Sequence, residues 1–302
     1  MWSFYFPFIG VIFNAVIMEE LLKKIFKDDK AKVLTPLSGG MMNQSYIVEH
    51  DNKRYVLYVS TDQANEMVDR SLERDNQKLV IDLGITSKNI YFDTEKGIKV
   101  NEYIDGKSLN YLDSFDAKKV ASLLKKLHSS KALSKEDYHP FARFIAYEDE
   151  ADTFDIQRSE DYKELRATLF QNKDFLESQP LVLSHNDAQK SNIVCDSKGE
   201  YYLIDFEFVG NNDEIYDIAT FGNGLVKEGY EVLVEYYNGN PSKEEKLRYY
   251  LWRIFVSLQW HNVAIVKHYR GEGALHGFDF LAVADFFLNN AKDALAGLKN
   301  IE

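Results

Sequence analysis

Two apolar runs that each lead into carboxylates constrain the fold of this chain more than any other feature. Leu181-Val182-Leu183 enters Ser184-His185-Asn186-Asp187-Ala188-Gln189-Lys190-Ser191-Asn192, and Tyr202-Leu203-Ile204 enters Asp205-Phe206-Glu207, with Asp205 18 residues after Asp187. Short apolar runs of this kind read as buried strands, whereas a carboxylate removed from water needs a partner. The fold therefore has to bury both runs while delivering their acidic ends to the rim of a cleft.

Those residue types suit phosphoryl transfer. One carboxylate orients and deprotonates an attacking hydroxyl, while a second carboxylate and an amide oxygen hold Mg2+ against the phosphates. Asp187 fits the first role, and Asp205 with Asn192 fits the second. Asn192 follows Asp187 by five residues, enough chain to turn back toward the same metal. Asp205 and Glu207 are expected on one strand, two apart, so that they share a face and both reach a cation. His185 reads as a hydrogen-bonding residue that fixes the loop rather than as the base. Asp217 is expected to cap a helix or brace the same loop, and His128 to end an amphipathic helix as a packing or capping residue.

Composition narrows the partners. With 48 acidic against 36 basic side chains, the net charge of −12 argues against a sequence-independent grip on nucleic acid, which needs clustered Lys and Arg. A small cationic partner suits this balance better. Cys195 is the only cysteine, which excludes an intrachain disulfide and fits a cytoplasmic protein. It follows Ile193-Val194 in an apolar run and reads as a buried bystander.

The 302 residues suffice for one large domain or two lobes. Residues 1–17 carry no charge but lack the basic start of a signal peptide, and Pro7, Gly10 and Asn14 interrupt them as a membrane span. The favoured reading is that translation begins at Met18, where an amphipathic helix opens; any membrane association would run through residues 1–17. Beyond it, the pattern predicts strands on either side of a loop at 37–45, a strand over 54–59, a helix over 66–83, and a hairpin over 90–104. From Ala117 the pattern is mainly helical, interrupted by strand-like 181–194 and 200–208. The acidic stretch Glu148-Asp149-Glu150-Ala151-Asp152 reads as a solvated helix face.

The loop Ser38-Gly39-Gly40-Met41-Met42-Asn43 has two meanings. It is either a hairpin turn or a loop whose backbone N–H groups and Ser38 or Asn43 side chains cover the phosphates of ATP. Its place upstream of the acidic runs favours the second. Trp252, Trp260 and Tyr269, on a late apolar helix, are core residues by default, although such rings also suit a quaternary ammonium ion.

Taken together, these segments resemble the choline and ethanolamine kinase branch of the aminoglycoside phosphotransferase, protein-kinase-like superfamily, in particular its bacterial choline kinases. The resemblance rests on Gly39 to Gln44, Asp69-Arg70 with Glu73 and Asn76, Gly97 to Ile104, His185 to Asn192 and Ile204 to Glu207. It implies an α+β, two-lobed protein-kinase-like fold, with a small β-sheet lobe at 18–104 and a larger, mostly helical lobe at 105–302. It also implies ATP and Mg2+ as cofactors and a small amino alcohol, choline first, as the acceptor. Asp187 would be the base, Glu73 the helix glutamate of the small lobe, and Glu102, Tyr103 and Ile104 the segment against adenine. Gln189 and Glu207 would line the acceptor pocket, with Trp260 on its wall.

Three positions depart from the family pattern. Tyr58 stands where the family carries Lys or Arg on the strand after the glycine loop, so that a phosphate partner is missing or supplied elsewhere, with Arg70 a candidate. Gly224 replaces a Glu that faces the ammonium group, and Ser257 precedes Trp260 where two tryptophans are usual. These departures keep two other readings open: a kinase for ethanolamine, thiamine, an aminoglycoside or another hydroxyl compound, and a pseudokinase that only binds nucleotide.

Overall fold

The protein is described from a computed structural model covering residues 15–37, 43–61, 64–65, 68–273 and 277–301. It opens with helix α1 (Ala15–Phe26), which therefore begins before Met18. Strands β1 (Lys32–Leu37), β2 (Asn43–His50) and β3 (Lys53–Ser60) follow, then helix α2 (Arg70–Ile81) and strands β4 (Asn89–Asp93) and β5 (Ile98–Glu102). The five strands form one antiparallel sheet in the order β1-β2-β3-β5-β4. Pro36 sits on β1, an edge strand with every residue exposed, where a missing N–H disturbs no inner ladder.

Alternation along β3 and β5 gives this sheet two different faces. Leu57, Val59, Ile98 and Val100 pack with Met18 and Leu22 of α1 in one cluster, each fully buried side chain of this kind contributing about 2 kcal/mol. Tyr58 and Lys99, paired across the strands, lie on the other face, toward α2. The helix expected over 66–83 is shorter: Asp69 caps it by accepting from the Ser71 and Leu72 backbone N–H groups.

A short link carries the chain from Glu102 to β6 (Gly106–Ser108) and the helical lobe. This lobe contains α3 (Ala117–His128), α4 (Pro140–Asp152), α5 (Glu160–Gln171) and the short α6 (Lys173–Glu177). Next come β7 (Val182–Ser184), β8 (Ile193–Asp196), β9 (Tyr201–Leu203) and β10 (Gly210–Asn212), then α7 (Glu214–Phe221), α8 (Val226–Tyr236), α9 (Lys243–Tyr269) and α10 (Phe280–Lys299). β7 pairs with β10, and β6-β8-β9 form a three-stranded sheet. The 27-residue α9 starts from a reciprocal capping box between Ser242 and Glu245 and runs through the centre of the lobe. Its Leu251, Trp252, Ile254, Phe255 and Leu258 are at most 1% exposed in the main core. No described helix is long and apolar enough to cross a membrane.

Three sequence expectations are corrected here. The stretch 181–194 is two strands with the polar loop between them, and the strand expected over 200–208 stops at Leu203. Asp205 and Glu207 thus do not share a strand face; Asp205 sits in the left-handed region at φ 67°. The acidic stretch on α4 is not wholly solvated either. Glu148 is buried and accepts from the Tyr162 hydroxyl at 2.6 Å and Arg166 Nε at 2.7 Å.

Candidate functional site

The β7–β10 register, Ser184 opposite Gly210, sets the loop after β7 beside the segment that precedes β10. In that loop Asn186 takes φ 63°, a left-handed conformation that asparagine tolerates better than most residues. Its amide Nδ2 donates to the Phe208 carbonyl at 2.9 Å, and its Oδ1 accepts from Asn212 Nδ2 at 2.9 Å. Asp217, at the buried start of α7, accepts from the backbone N–H groups of His185 and Asn186, both at 2.7 Å. Its Oδ2 also meets His128 Nε2 at 3.0 Å, which gives His128 a polar role beyond packing. Burial alone would push the Asp217 carboxyl up, but His128 and the His185 N–H outweigh it and hold the carboxyl below its ordinary value.

His185 ties the two acidic runs together. Its Nε2 lies 2.9 Å from the Ile204 carbonyl, which can only accept, so Nε2 carries the proton. Nδ1 then accepts the Asp187 N–H at 3.3 Å. Burial lowers the pKa of this ring, which is consistent with a neutral bridge and not with a general base. A second link runs from the Ile204 N–H to the Asn192 carbonyl at 2.9 Å.

Asp187, half-buried, is flanked on both oxygens. Gln189 Nε2 donates to Oδ1 at 2.6 Å and Asn192 Nδ2 to Oδ2 at 2.8 Å. Burial, with the charge of Asp205 added, raises its pKa well above the ordinary value, which makes it a stronger base once deprotonated. Asp205 is also shifted upward, by burial and then by the charge of Glu207, although 36% of its side chain stays open to the cleft. Among the described residues its Oδ1 has no hydrogen-bond partner. An acidic oxygen without a donor, beside Asn192, is the donor set a hard divalent cation takes, and Mg2+ fits it.

Across the cleft, the small lobe presents a knot of charges. Glu73 of α2 is paired with Arg70 Nη1 at 2.7 Å and Lys99 Nζ at 2.5 Å. Arg70 Nη1 also meets Glu207 Oε1 at 2.8 Å. Burial would pull the Lys99 ammonium down, but Glu73, Asp205 and Glu207 outweigh it and hold it above the ordinary lysine value. Glu207 points into this knot: its Oε1 accepts Asn43 Nδ2 at 2.5 Å, and Asn43 Oδ1 in turn accepts the Ser60 hydroxyl at 2.9 Å. Asn43 thereby joins the end of the glycine loop to the helical lobe. Ser38, Gly39 and Gly40 lie outside the described residues.

At the link between lobes, Glu102 N–H donates to the Lys88 carbonyl at 2.8 Å and Tyr103 N–H to the Arg54 carbonyl at 3.0 Å, while Ile104 is half-buried. The Arg54 guanidinium stacks on the Tyr103 ring at 4.6 Å. Glu102 and Tyr103 help wall a pocket of about 310 Å³. Trp260, half-buried, stacks on Phe287 at 5.8 Å. Gly224 has φ 82°, and a Cβ there would sit 3.2 Å from the Phe286 ring, so a larger residue is strained in its backbone and crowds that ring. Trp252 is a core residue whose indole N–H donates to Asp213 at 2.7 Å, and Tyr269 is 48% exposed against Phe154. Cys195 is a half-buried free thiol on β8.

The residue that sequence reasoning assigned no role is Lys99. Its signal lay in strand pairing: Tyr58 and Lys99 face each other in the β3–β5 register.

Comparison with known proteins agrees with this geometry. The choline/ethanolamine kinase family model matches residues 34–284. A protein LicA of Haemophilus influenzae is 23% identical over 219 residues, covering 70% of this chain and 64% of that protein. Ethanolamine kinase 2 of Mus musculus is 30% identical over 221 residues, covering 68% of this chain and 55% of that protein. The chain thus spans less than two thirds of the length of either relative. The crystal structure of choline kinase LicA from Streptococcus pneumoniae superposes with a TM-score of 0.69 at 26% identity, over 94% of this chain and 98% of that one.

Proposed function

This chain belongs to the choline/ethanolamine kinase family, and on that basis we propose that it transfers the terminal phosphoryl group of ATP to the hydroxyl of a small amino alcohol, choline first. The observation that carries the reading is Asp187: a carboxylate of raised proton affinity, oriented by Gln189 and Asn192 and tied through His185 to the segment bearing Asp205. Asp187 aligns the acceptor hydroxyl and takes its proton as the oxygen–phosphorus bond forms. Lys99 and Arg70 keep Glu73 and Glu207 neutralised beside the nucleotide. When bound, Mg2+ held by Asp205 and Asn192 would offset the charge of the transferred group. Residues 18–104 would form the nucleotide lobe and 105–302 the catalytic and acceptor lobe, in a cytoplasmic protein.

A second acceptor is supported by a specific feature. A quaternary ammonium ion is held by several aromatic faces, and here Trp260 is preceded by Ser257, whose hydroxyl donates to Asn223 Oδ1 at 2.8 Å. Ethanolamine, whose primary ammonium seeks acceptors rather than rings, is the alternative. Tyr58 alone favours a pseudokinase; the intact Glu73–Lys99 pair argues against that reading. The test is ATP consumption by the purified chain against choline, ethanolamine, thiamine and an aminoglycoside. Turnover with choline that Asp187→Ala lowers at least about 1,000-fold is expected, since general-base loss and mispositioning combine. Unchanged turnover in that variant, or ATP binding with no acceptor phosphorylated, refutes the mechanism.

A further inference from the structure

The strand position that faces the cleft on β3 carries Tyr58, a neutral ring, yet the carboxylate it would have to serve is not left unpaired. Tyr58 and Lys99 occupy paired positions in the β3–β5 ladder and so project from the same face, one strand spacing apart, about 4.8 Å. A lysine stem is long enough to cross that spacing. The Lys99 ammonium lies 4.9 Å from the centre of the Tyr58 ring and ends 2.5 Å from Glu73 Oε1, 3.7 Å from Asp205 Oδ1 and 3.9 Å from Glu207 Oε1. Its side chain is only 5% exposed, so the ring and the carboxylates fix its position.

We propose that Lys99, one strand across the sheet from Tyr58, is the cation that grips the nucleotide phosphates in this chain, with Tyr58 as the platform that aims it. The role rests on the kinase reading above. Arg70 is anchored farther back: its Nη1 bridges Glu73 and Glu207 and its Nε donates to Asn65 Oδ1 at 3.0 Å, which leaves only Nη2 without a partner among the described residues. Lys99 stands 3.7 Å from Asp205 Oδ1, on the carboxylate where phosphate and metal charge would meet. Three carboxylates, Glu73, Asp205 and Glu207, surround two cations, Lys99 and Arg70. A polyanion is therefore tolerated there only against an ammonium already fixed among them.

The test is a ladder of ligands differing in phosphate number. Adenosine, AMP, ADP and ATP are titrated calorimetrically into the wild-type chain, Lys99→Met and Lys99→Arg, with turnover measured alongside. Lys99→Met is expected to leave adenosine affinity within about twofold and to weaken ADP and ATP about 10- to 100-fold, as for the loss of a charged hydrogen bond. Lys99→Arg should recover most of that loss. Restoring the cation on the neighbouring strand, in Lys99→Met with Tyr58→Lys, should recover at least tenfold in ATP affinity.

Because Lys99→Met leaves Glu73 with one cation fewer, the ladder is repeated in Lys99→Met with Glu73→Gln, where the lost charge is matched; the weakening must still grow with phosphate number. An equal loss for adenosine and ATP, ATP affinity within threefold of wild type, or no recovery from Tyr58→Lys overturns the assignment. No acceptor enters the ladder, so ATP binding that ignores Lys99 overturns this role alone. A wild-type chain that binds no ATP overturns the kinase reading as well.

Discussion

Asp217→Asn removes charge and one acceptor from the loop that carries Asp187 while keeping the side chain's shape. The carboxylate serves three donors: Oδ1 takes the Asn186 N–H, and Oδ2 takes the His185 N–H and His128 Nε2. An amide has a single oxygen. Its least costly orientation keeps that oxygen on the Oδ2 side and turns its NH2 toward the Asn186 N–H, leaving one buried donor facing another. Stranding that N–H costs about 1–3 kcal/mol, and losing charge assistance in the two remaining bonds adds about 1 kcal/mol, for a total of about 2–4 kcal/mol. The stranded group belongs to a residue held at φ 63°, so the local backbone relaxes and carries Asp187 with it. A displacement near 1 Å lowers turnover about 100-fold. Urea unfolding of wild type and variant at one pH, with turnover on the same preparations, reads both effects. Unfolding free energies within about 0.5 kcal/mol and turnover within about twofold would refute the argument that this carboxylate holds the loop.

The same group predicts an acid limb. Its folded pKa lies below the ordinary 3.8, so its contribution is present above about pH 4 and is lost as pH falls through the folded value; urea midpoints between about pH 2 and 4 should fall more steeply in wild type than in Asp217→Asn. Gly224→Glu, which would restore the family's acidic residue, should destabilise the chain by about 1–3 kcal/mol, because φ 82° and the Phe286 ring both oppose a side chain; an unchanged thermal midpoint would contradict this. On α4, Glu148→Ala should cost about 1–3 kcal/mol by stripping Tyr162 and Arg166 of their acceptor, whereas Asp149→Ala, one residue on and exposed, should stay within about 0.5 kcal/mol. Equal effects at both positions in urea unfolding would undo that contrast.

How far the sequence could be read follows from what each signal encodes. The apolar entries into His185–Asn192 and Asp205 were legible because burial of a strand and exposure of its end leave a local pattern. The course of the chain after Leu203 was not. Asp205 adopts a left-handed conformation for which no glycine marked the turn, and a carboxylate two residues from another looks identical on a strand or off it. Glu148 was misread although its signal was present: Phe141, Phe144, Glu148 and Ala151 recur at helical spacing on one buried face, and the charge of its neighbours concealed the period. Lys99 could not be found from its own strand. Its position acquires meaning only when β5 is laid beside β3 and the lysine is seen to reach past Tyr58 to a glutamate on α2, three elements that sequence separates.

The His185 bridge has a consequence for how the loop responds to solution conditions. Imidazoles ordinarily gain charge as the medium is acidified through pH 6.5, and a charged ring could no longer accept the Asp187 N–H. Burial pushes that change to lower pH, so the bridge between the Asp187 and Asp205 segments persists further into acid than a free imidazole would allow.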